Sequence, residues 1–422
     1  MKRGLFRGVV LALLLGAAPV LADDAADAAR LQAAFTKLVD AFAKSGNSVT
    51  ASPYWADPAN RASGMAFVTS MMIRTLEEDV VQDVDFPSFR ILDPRIREGG
   101  DNPDQRYLFA RIRGGTTYRV WGTLGGARRL EFQIYAGDPY VQGGGRSVSF
   151  LTFENIKFGK DGSFEVFLSP EKMAGRNWLE NAADSTKLMV RQVYSDWHKA
   201  SGGEVHIDRV GYEGKLRPVP SPVQMAEKLE KAAQDLQMIV GVWPAFVRAR
   251  YQMALTPNTL LEPSDPGAVG GVAGRWMSGG FFDLQPDEAL IVTTYPTDAN
   301  YQGIQLTDPW FSSLEYGNRQ SSLTADQAYL SSDGAYRFVI AGRDPGIQNW
   351  LDTTGLAQGT ILLRFDGSRY KNFPREKFPR AEKVKLTELK AHLPADTPSY
   401  GAAERARELA ARRRHVQTRF GF

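Results

Sequence analysis

The sequence predicts a mainly β protein with helical additions, in which two antiparallel β-sandwich units arise from one internal repeat. Three observations carry the prediction. Short β-branched and aromatic runs, broken by Gly, Asp and Asn, recur from about Tyr107 onward. Two such β-rich stretches match each other at a nearly constant offset of 172 residues. Helical spacing of apolar residues is confined to the flanks and to one segment between the stretches. The 422 residues are 43% hydrophobic and 23% charged, which excludes a disordered, collagen-like or polytopic membrane chain and suffices for one large core or two ordinary ones.

Taken in order, residues 1–22 read as a signal peptide. Lys2, Arg3 and Arg7 precede the apolar run Val9 to Leu21, and the small Ala22 stands before Asp23-Asp24. This pattern predicts cleavage near Ala22 and a periplasmic or secreted protein. The run falls short of the roughly 20 residues a spanning helix needs, and no other stretch is long and apolar enough, so no integral membrane span is expected. With no cysteine in the chain, an exported fold must hold by packing without disulfides. The formal charge of +3 comes entirely from the three basic leader residues. The neutral remainder argues against a nucleic-acid partner, whose affinity depends on phosphate neutralisation.

Residues 23–90 form an N-terminal helical segment. Leu31, Phe35, Leu38, Val39 and Phe42 make an amphipathic stripe over 24–45 that Ser45-Gly46-Asn47 is expected to end, and a second helix is expected around Ala66–Leu76. Residues 91–217 form the first β unit, with runs at Tyr107–Ile112, Thr117–Thr123, Leu130–Tyr135, Ser163–Leu168 and Leu188–Tyr194. The proline-dense Pro218-Val219-Pro220-Ser221-Pro222 opens a helical linker over 218–262, whose stripe is Met225, Leu229, Leu236, Ile239, Val240 and Trp243. Residues 263–368 form the second β unit. Residues 369–422 form a basic tail of formal charge +8, balancing −8 over 23–368. Its helix, Ala402–Gln417, carries Arg412-Arg413-Arg414, a solvated face or a clamp on the acidic body.

The repeat is read from particular residues. Asp161-Gly162 and Asn177-Trp178-Leu179 recur as Asp333-Gly334 and Asn349-Trp350-Leu351, both offset by 172 residues. Phe132-Gln133-Ile134 aligns with Ile304-Gln305-Leu306, Asp138-Pro139-Tyr140 with Asp308-Pro309-Trp310, and Lys187–Arg191 with Thr360–Arg364, the last two pairs within two residues of that register. Each copy reads as strand, Asp-Pro turn, strand, Asp-Gly turn, strand, Asn-Trp-Leu, strand. In the Asp-Gly turns, read as tight hairpins, Gly supplies positive φ. Each Trp is an anchor whose indole N–H needs a partner. Positions shared by both copies are expected to be structural, and function is expected where the copies differ.

Several stretches carry a family resemblance. Asp101-Asn102-Pro103-Asp104, Asn177-Trp178-Leu179, Val190 to Trp197, Leu306 to Trp310, Asn318 to Ser322, Asn349 to Thr353 and Leu393 to Pro398 resemble proteins of the domain-of-unknown-function 1214 family, which are uncharacterised exported bacterial proteins. The likeness covers most of 95–370. It implies a jelly-roll-like β-sandwich for each unit and no established activity.

Catalytic and cofactor fingerprints are missing: no H-E-x-x-H, G-x-S-x-G, P-loop or G-x-G-x-x-G occurs, so no cofactor is assigned. Ser169-Pro170-Glu171-Lys172 matches S-x-x-K without its companion motifs. Gly143-Gly144-Gly145 and Gly267–Gly274 read as loops. His198 and His206 flank Ser201-Gly202-Gly203 without an evident third ligand, so no metal is assigned. Asp138 and Asp308 are the candidate catalytic carboxylates, a pair only if the two units bring them face to face. The candidate ligand-binding residues are Arg191, Asp196 and Trp197 on one strand, and Trp310, Tyr316, Asn318, Arg319 and Gln320 in a second-copy loop. These residues support an exported protein that binds a small molecule or glycan, either a carbohydrate or a carboxylate-bearing envelope compound. A hydrolase or lyase acting on a polysaccharide or ester, and an assembly factor working through the basic tail, are the alternatives. No residue pattern decides whether the protein is an enzyme.

Overall fold

A computed structural model of the protein describes residues 18–138, 145–199, 202–269 and 272–421. Most of the leader, Pro139-Tyr140 of the first Asp-Pro turn, Gly143-Gly144, Ser201 and Gly270-Gly271 lie outside the described residues. The chain begins with α1 (Ala18–Thr50) and α2 (Pro58–Thr75), the latter capped by the Asp57 carboxylate on the Ala59 N–H. A π-helical turn, Leu76–Val81, follows directly.

Nine strands come next: β1 (Arg90–Leu92), β2 (Gln105–Arg111), β3 (Tyr118–Thr123), β4 (Arg129–Ala136), β5 (Arg146–Leu151), β6 (Ser163–Ser169), β7 (Asn177–Glu180), β8 (Lys187–Val193) and β9 (Val205–Arg209). Then α3 (Pro222–Val247) starts at a capping box, in which Ser221 Oγ accepts from the Gln224 N–H and the Gln224 side chain accepts from the Ser221 N–H. Nine more strands follow: β10 (Thr259–Leu260), β11 (Arg275–Asp283), β12 (Glu288–Thr294), β13 (Tyr301–Thr307), β14 (Ser322–Thr324), β15 (Tyr336–Ala341), β16 (Trp350–Asp352), β17 (Gln358–Asp366) and β18 (Arg380–Lys385). The chain closes with α4 (Ala402–Phe420).

The two sets of nine have one topology. A five-stranded sheet ordered β1-β2-β8-β4-β5 and a four-stranded sheet ordered β7-β6-β3-β9 correspond strand for strand to β10-β11-β17-β13-β14 and β16-β15-β12-β18. Each pair of sheets encloses its own apolar core. Leu108, Leu130, Phe132, Val166 and Val190 fill the first, and Val292, Ile304, Leu306, Phe338 and Ile361 fill the second. Each such fully buried side chain contributes about 1.5–3 kcal/mol. The molecule is thus four β-sheets forming two similar sandwich halves, with helices packed around them.

The shared motifs do the same work twice. Asn177 Oδ1 accepts from the Lys157 N–H while its amide donates to the Lys157 and Glu165 carbonyls. Asn349 clasps the Tyr329 backbone in the same two-way manner. Trp178 Nε1 donates to Ser169 Oγ and Trp350 Nε1 to the Ala341 carbonyl, each at 2.9 Å. Gly162 and Gly334 both take φ of +80°, the left-handed region that a residue with a Cβ disfavours.

Several expectations need correction. The Asp-Gly turns are not hairpins between paired strands, because β5 lies in the five-stranded sheet and β6 in its partner. One pair in each half, β6–β7 and β15–β16, is parallel. Helix α1 runs past Ser45-Gly46-Asn47, with Ser45 Oγ turned inward onto the Ala41 carbonyl, because burial of Val49 holds the turn that follows. Its buried seam is Ala34, Leu38 and Ala41 against Ala226, Leu229, Ala232 and Ala233 of α3, leaving Phe35 and Val39 exposed. Small residues on both helices allow a close approach that a stripe of large ones would prevent. Strand β18 falls inside the segment read as tail. Only Val384 of its six residues is buried, so its apolar alternation was too sparse to register.

Candidate functional site

The five-stranded sheets turn their second faces toward each other and the helices. Their central strands β8 and β17 are therefore buried on both sides, and what lies on the second faces depends on the polar residues placed there. Gln105 donates to Asp366 across the junction at 3.3 Å, and Arg275 lies 3.6 Å from Glu131. Between the sheets is a cavity of about 240 Å³, walled by both halves.

Two arginines dominate it. Arg191 on β8 stands opposite Tyr107 and Glu131. Arg364 on β17 stands opposite Met277 and Gly303, the equivalent positions. Each donates to the glutamine at the matched place on the neighbouring strand: Arg191 Nη1 to Gln133 Oε1 at 3.0 Å, and Arg364 Nη1 to Gln305 Oε1. Arg191 Nη2 also donates to the Tyr135 hydroxyl and Arg364 Nη2 to the Gly100 carbonyl. Both arginines are buried, at 6% and 7% exposure. Among the described residues no carboxylate lies within ion-pair distance of either. Arg275, the third arginine of the lining, differs, because Asp366 holds it at 3.2 Å. Burial works against its charge, but Asp366 and Glu131 outweigh that and keep its pKa above the ordinary value.

One wall is the loop at Gly99-Gly100, with φ of +69° and +63°. A Cβ at Gly99 would stand 2.8 Å from the Trp243 ring, and one at Gly100 would stand 2.6 Å from the Phe311 ring. Glycine at both places lets the chain pass between those rings and present the Gly100 carbonyl to Arg364.

Behind Glu98, which lines the cavity, is a buried ion network. Arg74 contacts Asp138 and Glu98, Arg90 contacts Glu78 and Glu98, and Lys187 contacts Glu78 and Asp138. The π-helical turn places Glu78 there. Such turns often mark functional sites because they displace a side chain from helical register. Burial would raise the Glu78 pKa, but Lys187, Arg90 and Arg74 outweigh it and hold the carboxyl well below its usual range. For Arg74, burial opposes the charge, and Asp138, Glu98 and Glu78 overcome that and raise its pKa.

Of the candidate catalytic and ligand-binding residues named from sequence, only Arg191 lines this cavity. Trp310 is 1% exposed, packed against Phe67 and Tyr54, and its Nε1 donates to the Asn60 carbonyl. Tyr316 and Trp197 form one buried cluster with Val416. Arg412 lies over the Trp197 ring and donates to the Tyr316 carbonyl. Trp197 Nε1 donates to Asp104. Asp196 accepts from the His198 N–H and pairs with Lys199. Asn318 accompanies Glu315 at the surface, and Arg319 pairs with Asp352 at 2.8 Å. Gln320 is buried, donating to the Trp350 carbonyl and accepting from Arg405. The aromatic part of the loop 308–322 is thus covered by α2 and α4, Asn318 and Arg319 face outward, and no residue of the loop lines the cavity.

The candidate carboxylates occupy different surroundings. Asp138 accepts from Arg74 and Lys187. The Asp308 carboxylate accepts, among the described residues, only from the Trp310 and Ser312 N–H groups of its own turn, and burial pushes its pKa up to about 7. The histidines are apart too, His198 beside Glu408 and His206 stacked on Trp121. Among the described residues no group of three metal-ligating side chains occurs. Ser169 of the S-x-x-K match holds the Trp178 indole and donates to the Glu171 carbonyl.

The tail helix is a clamp. Arg405, Arg412 and Arg419, seven residues apart, all face inward. Arg405 donates to Gln320 and the Ile347 carbonyl, Arg412 to Ser322, and Arg419 to the Pro103 carbonyl of the first half. No described helix is long and apolar enough to cross a membrane.

Sequence reasoning passed over Arg364, Gln133, Gln305 and Glu98. The signal for the first three was the matched register of the two copies, taken as a sign of structure.

No protein-family model matches the chain, and no curated protein matches it. Among solved structures, an uncharacterised protein from Burkholderia cenocepacia is 28% identical with a TM-score of 0.76, over 86% of this chain and 100% of that one. A Vibrio parahaemolyticus protein, 10% identical over 76% of this chain and 98% of its own, has a TM-score of only 0.41 and carries no argument. The chain is therefore related to an uncharacterised bacterial protein, and that relationship brings no activity or ligand with it. The resemblance to the domain-of-unknown-function 1214 family rests on the quoted motifs alone.

Proposed function

We propose that this is an exported protein that binds a small carboxylate-bearing compound in the cavity between its two halves. The observation that carries the reading is the Arg191 and Arg364 pair. Both are buried, both face one cavity, and among the described residues neither has a carboxylate within ion-pair distance. An arginine offers five donors in a planar fork that matches a carboxylate, and each of these uses only part of that capacity on its glutamine and one further acceptor. A buried guanidinium without a paired carboxylate is costly; Asp101 in the same lining acts on Arg364 only beyond ion-pair distance, and an anionic ligand relieves that cost. The cavity, at about 240 Å³, lies below the ~300–1,000 Å³ of drug-sized sites, which favours a small molecule.

The same reading includes membership of the domain-of-unknown-function 1214 family, jelly-roll-like units, and cleavage near Ala22 into the periplasm or medium. The basic, apolar and small-residue order of the leader supports export, and N-terminal sequencing of exported protein that begins at Met1 would overturn cleavage.

Calorimetric titration with a panel of small carboxylates tests the binding. Arg191→Gln and Arg364→Gln are each expected to weaken it by about 1.5–3 kcal/mol, the worth of a hydrogen bond to a charged group. Unchanged affinity in both variants would sink the reading.

A further inference from the structure

Glu98 is the most anomalous group in the cavity. Its side chain is fully buried, yet neither carboxylate oxygen accepts a hydrogen bond from any described residue. Arg90 Nη2 at 3.5 Å and Arg74 Nε at 3.7 Å supply charge without hydrogen-bond geometry. Buried carboxylates ordinarily accept several hydrogen bonds, because each unused lone pair carries a desolvation cost. Glu98 lines the same cavity as Arg191 and Arg364. One chamber therefore holds two guanidinium groups with no carboxylate at ion-pair distance among the described residues, and one carboxylate whose oxygens accept no hydrogen bond from them.

Resting on the binding reading above, we infer that the ligand is a hydroxy-carboxylate of the sugar-acid kind, whose carboxylate meets Arg191 and Arg364 and whose hydroxyl donates to Glu98. Charge decides between a hydroxyl and an ammonium as the donor. Glu78, Glu98 and Asp138 are already balanced by Arg74, Arg90 and Lys187. An ammonium would add an uncompensated cation to a buried, neutral network, whereas a hydroxyl satisfies the oxygen at no cost in charge. Tyr107 and Tyr135 add aromatic surface to the lining, suited to the C–H face of a ring. The volume limits the ligand to about one ring.

The test is calorimetric titration of the full-length protein with a ring-matched series: glucuronate, cyclohexanecarboxylate, trans-4-aminocyclohexanecarboxylate and glucose. Glucuronate is expected to bind at least about tenfold tighter than cyclohexanecarboxylate, a difference of ~1.4 kcal/mol, with the amino acid and glucose weakest. In Glu98→Gln, glucuronate should lose that advantage while cyclohexanecarboxylate is unchanged. Arg191→Gln should weaken both carboxylates. Equal wild-type affinity for glucuronate and cyclohexanecarboxylate, or tightest binding by the amino acid, would overturn the role of Glu98 and leave carboxylate binding intact. Binding by none of the four would overturn both. The wild-type series decides the matter even where Glu98→Gln fails to fold, which its circular dichroism would show.

Discussion

The two outer sheets are one ladder in two settings. In the second half, the outer face of β16-β15-β12-β18 is covered by Ile347, Leu389 and Leu393 from the following segments, and Arg405 lies 5.0 Å above the Trp350 ring. In the first half, the same face carries Trp121, Phe167 and Trp178 only partly buried, laced by Arg119, Glu165 and Arg176. Inside, the halves agree down to the asparagine clasp and the arginine–glutamine pair. Duplication has fixed the frame and the central cavity, and the departures between copies lie mainly in what each half packs against.

Three experiments break or sharpen this comparison. The largest contrast is expected at the matched aspartates. Asp138→Asn should cost about 3–5 kcal/mol in denaturant unfolding at neutral pH, because it leaves Arg74 and Lys187 short of a buried partner. Asp308→Asn should do the opposite at high pH. With its pKa pushed up to about 7 by burial, the native state binds more protons than the unfolded chain between about pH 4 and 7. Its contribution therefore declines as pH rises through that window, by at most about 1.4 kcal/mol per pH unit, and is fully lost above it. The asparagine variant should flatten that decline, and equal losses in the two variants would mean that the turns are interchangeable.

Next come the paired tryptophans. Trp350→Ala should cost about 3–5 kcal/mol and Trp178→Ala about 2 kcal/mol less, since only Trp350 is covered. A smaller penalty at Trp350 would show that its cover adds little. The smallest contrast is expected at the clasps. Asn177→Ala and Asn349→Ala each strip the partners from a backbone loop at about 1–3 kcal/mol, and their unfolding midpoints should agree with each other.

Much of the frame was legible because turns and anchors are local. Asp-Gly, Asn-Trp-Leu and the strand runs between them can be recognised within a few residues, and two copies at one offset reinforce each other. The cavity was less legible for a reason of symmetry. When two related halves meet through the same face, equivalent positions converge, so Arg191 and Arg364 became neighbours of one space although their likeness had argued for a structural role. Conversely, Trp310, Tyr316 and Gln320 look like a binding loop in sequence. Nothing near them announces that α2 and α4, more than two hundred residues and about a hundred residues away in the chain, fold over them. Glu98 was invisible because its lack of hydrogen-bond partners is a property of three-dimensional packing alone.

The arginine ladder of α4 has a consequence for the order of assembly. Chain emergence is vectorial, and both β halves leave the ribosome, or any secretion channel, before residues 405–419 do. Until those turns arrive, Trp197, Tyr194 and Tyr316 lack their cover, so a partly emerged chain leaves aromatic surface exposed. The final latch is therefore also a timer, because the aromatic cluster of Trp197 and Tyr316 is covered only once α4 has come through.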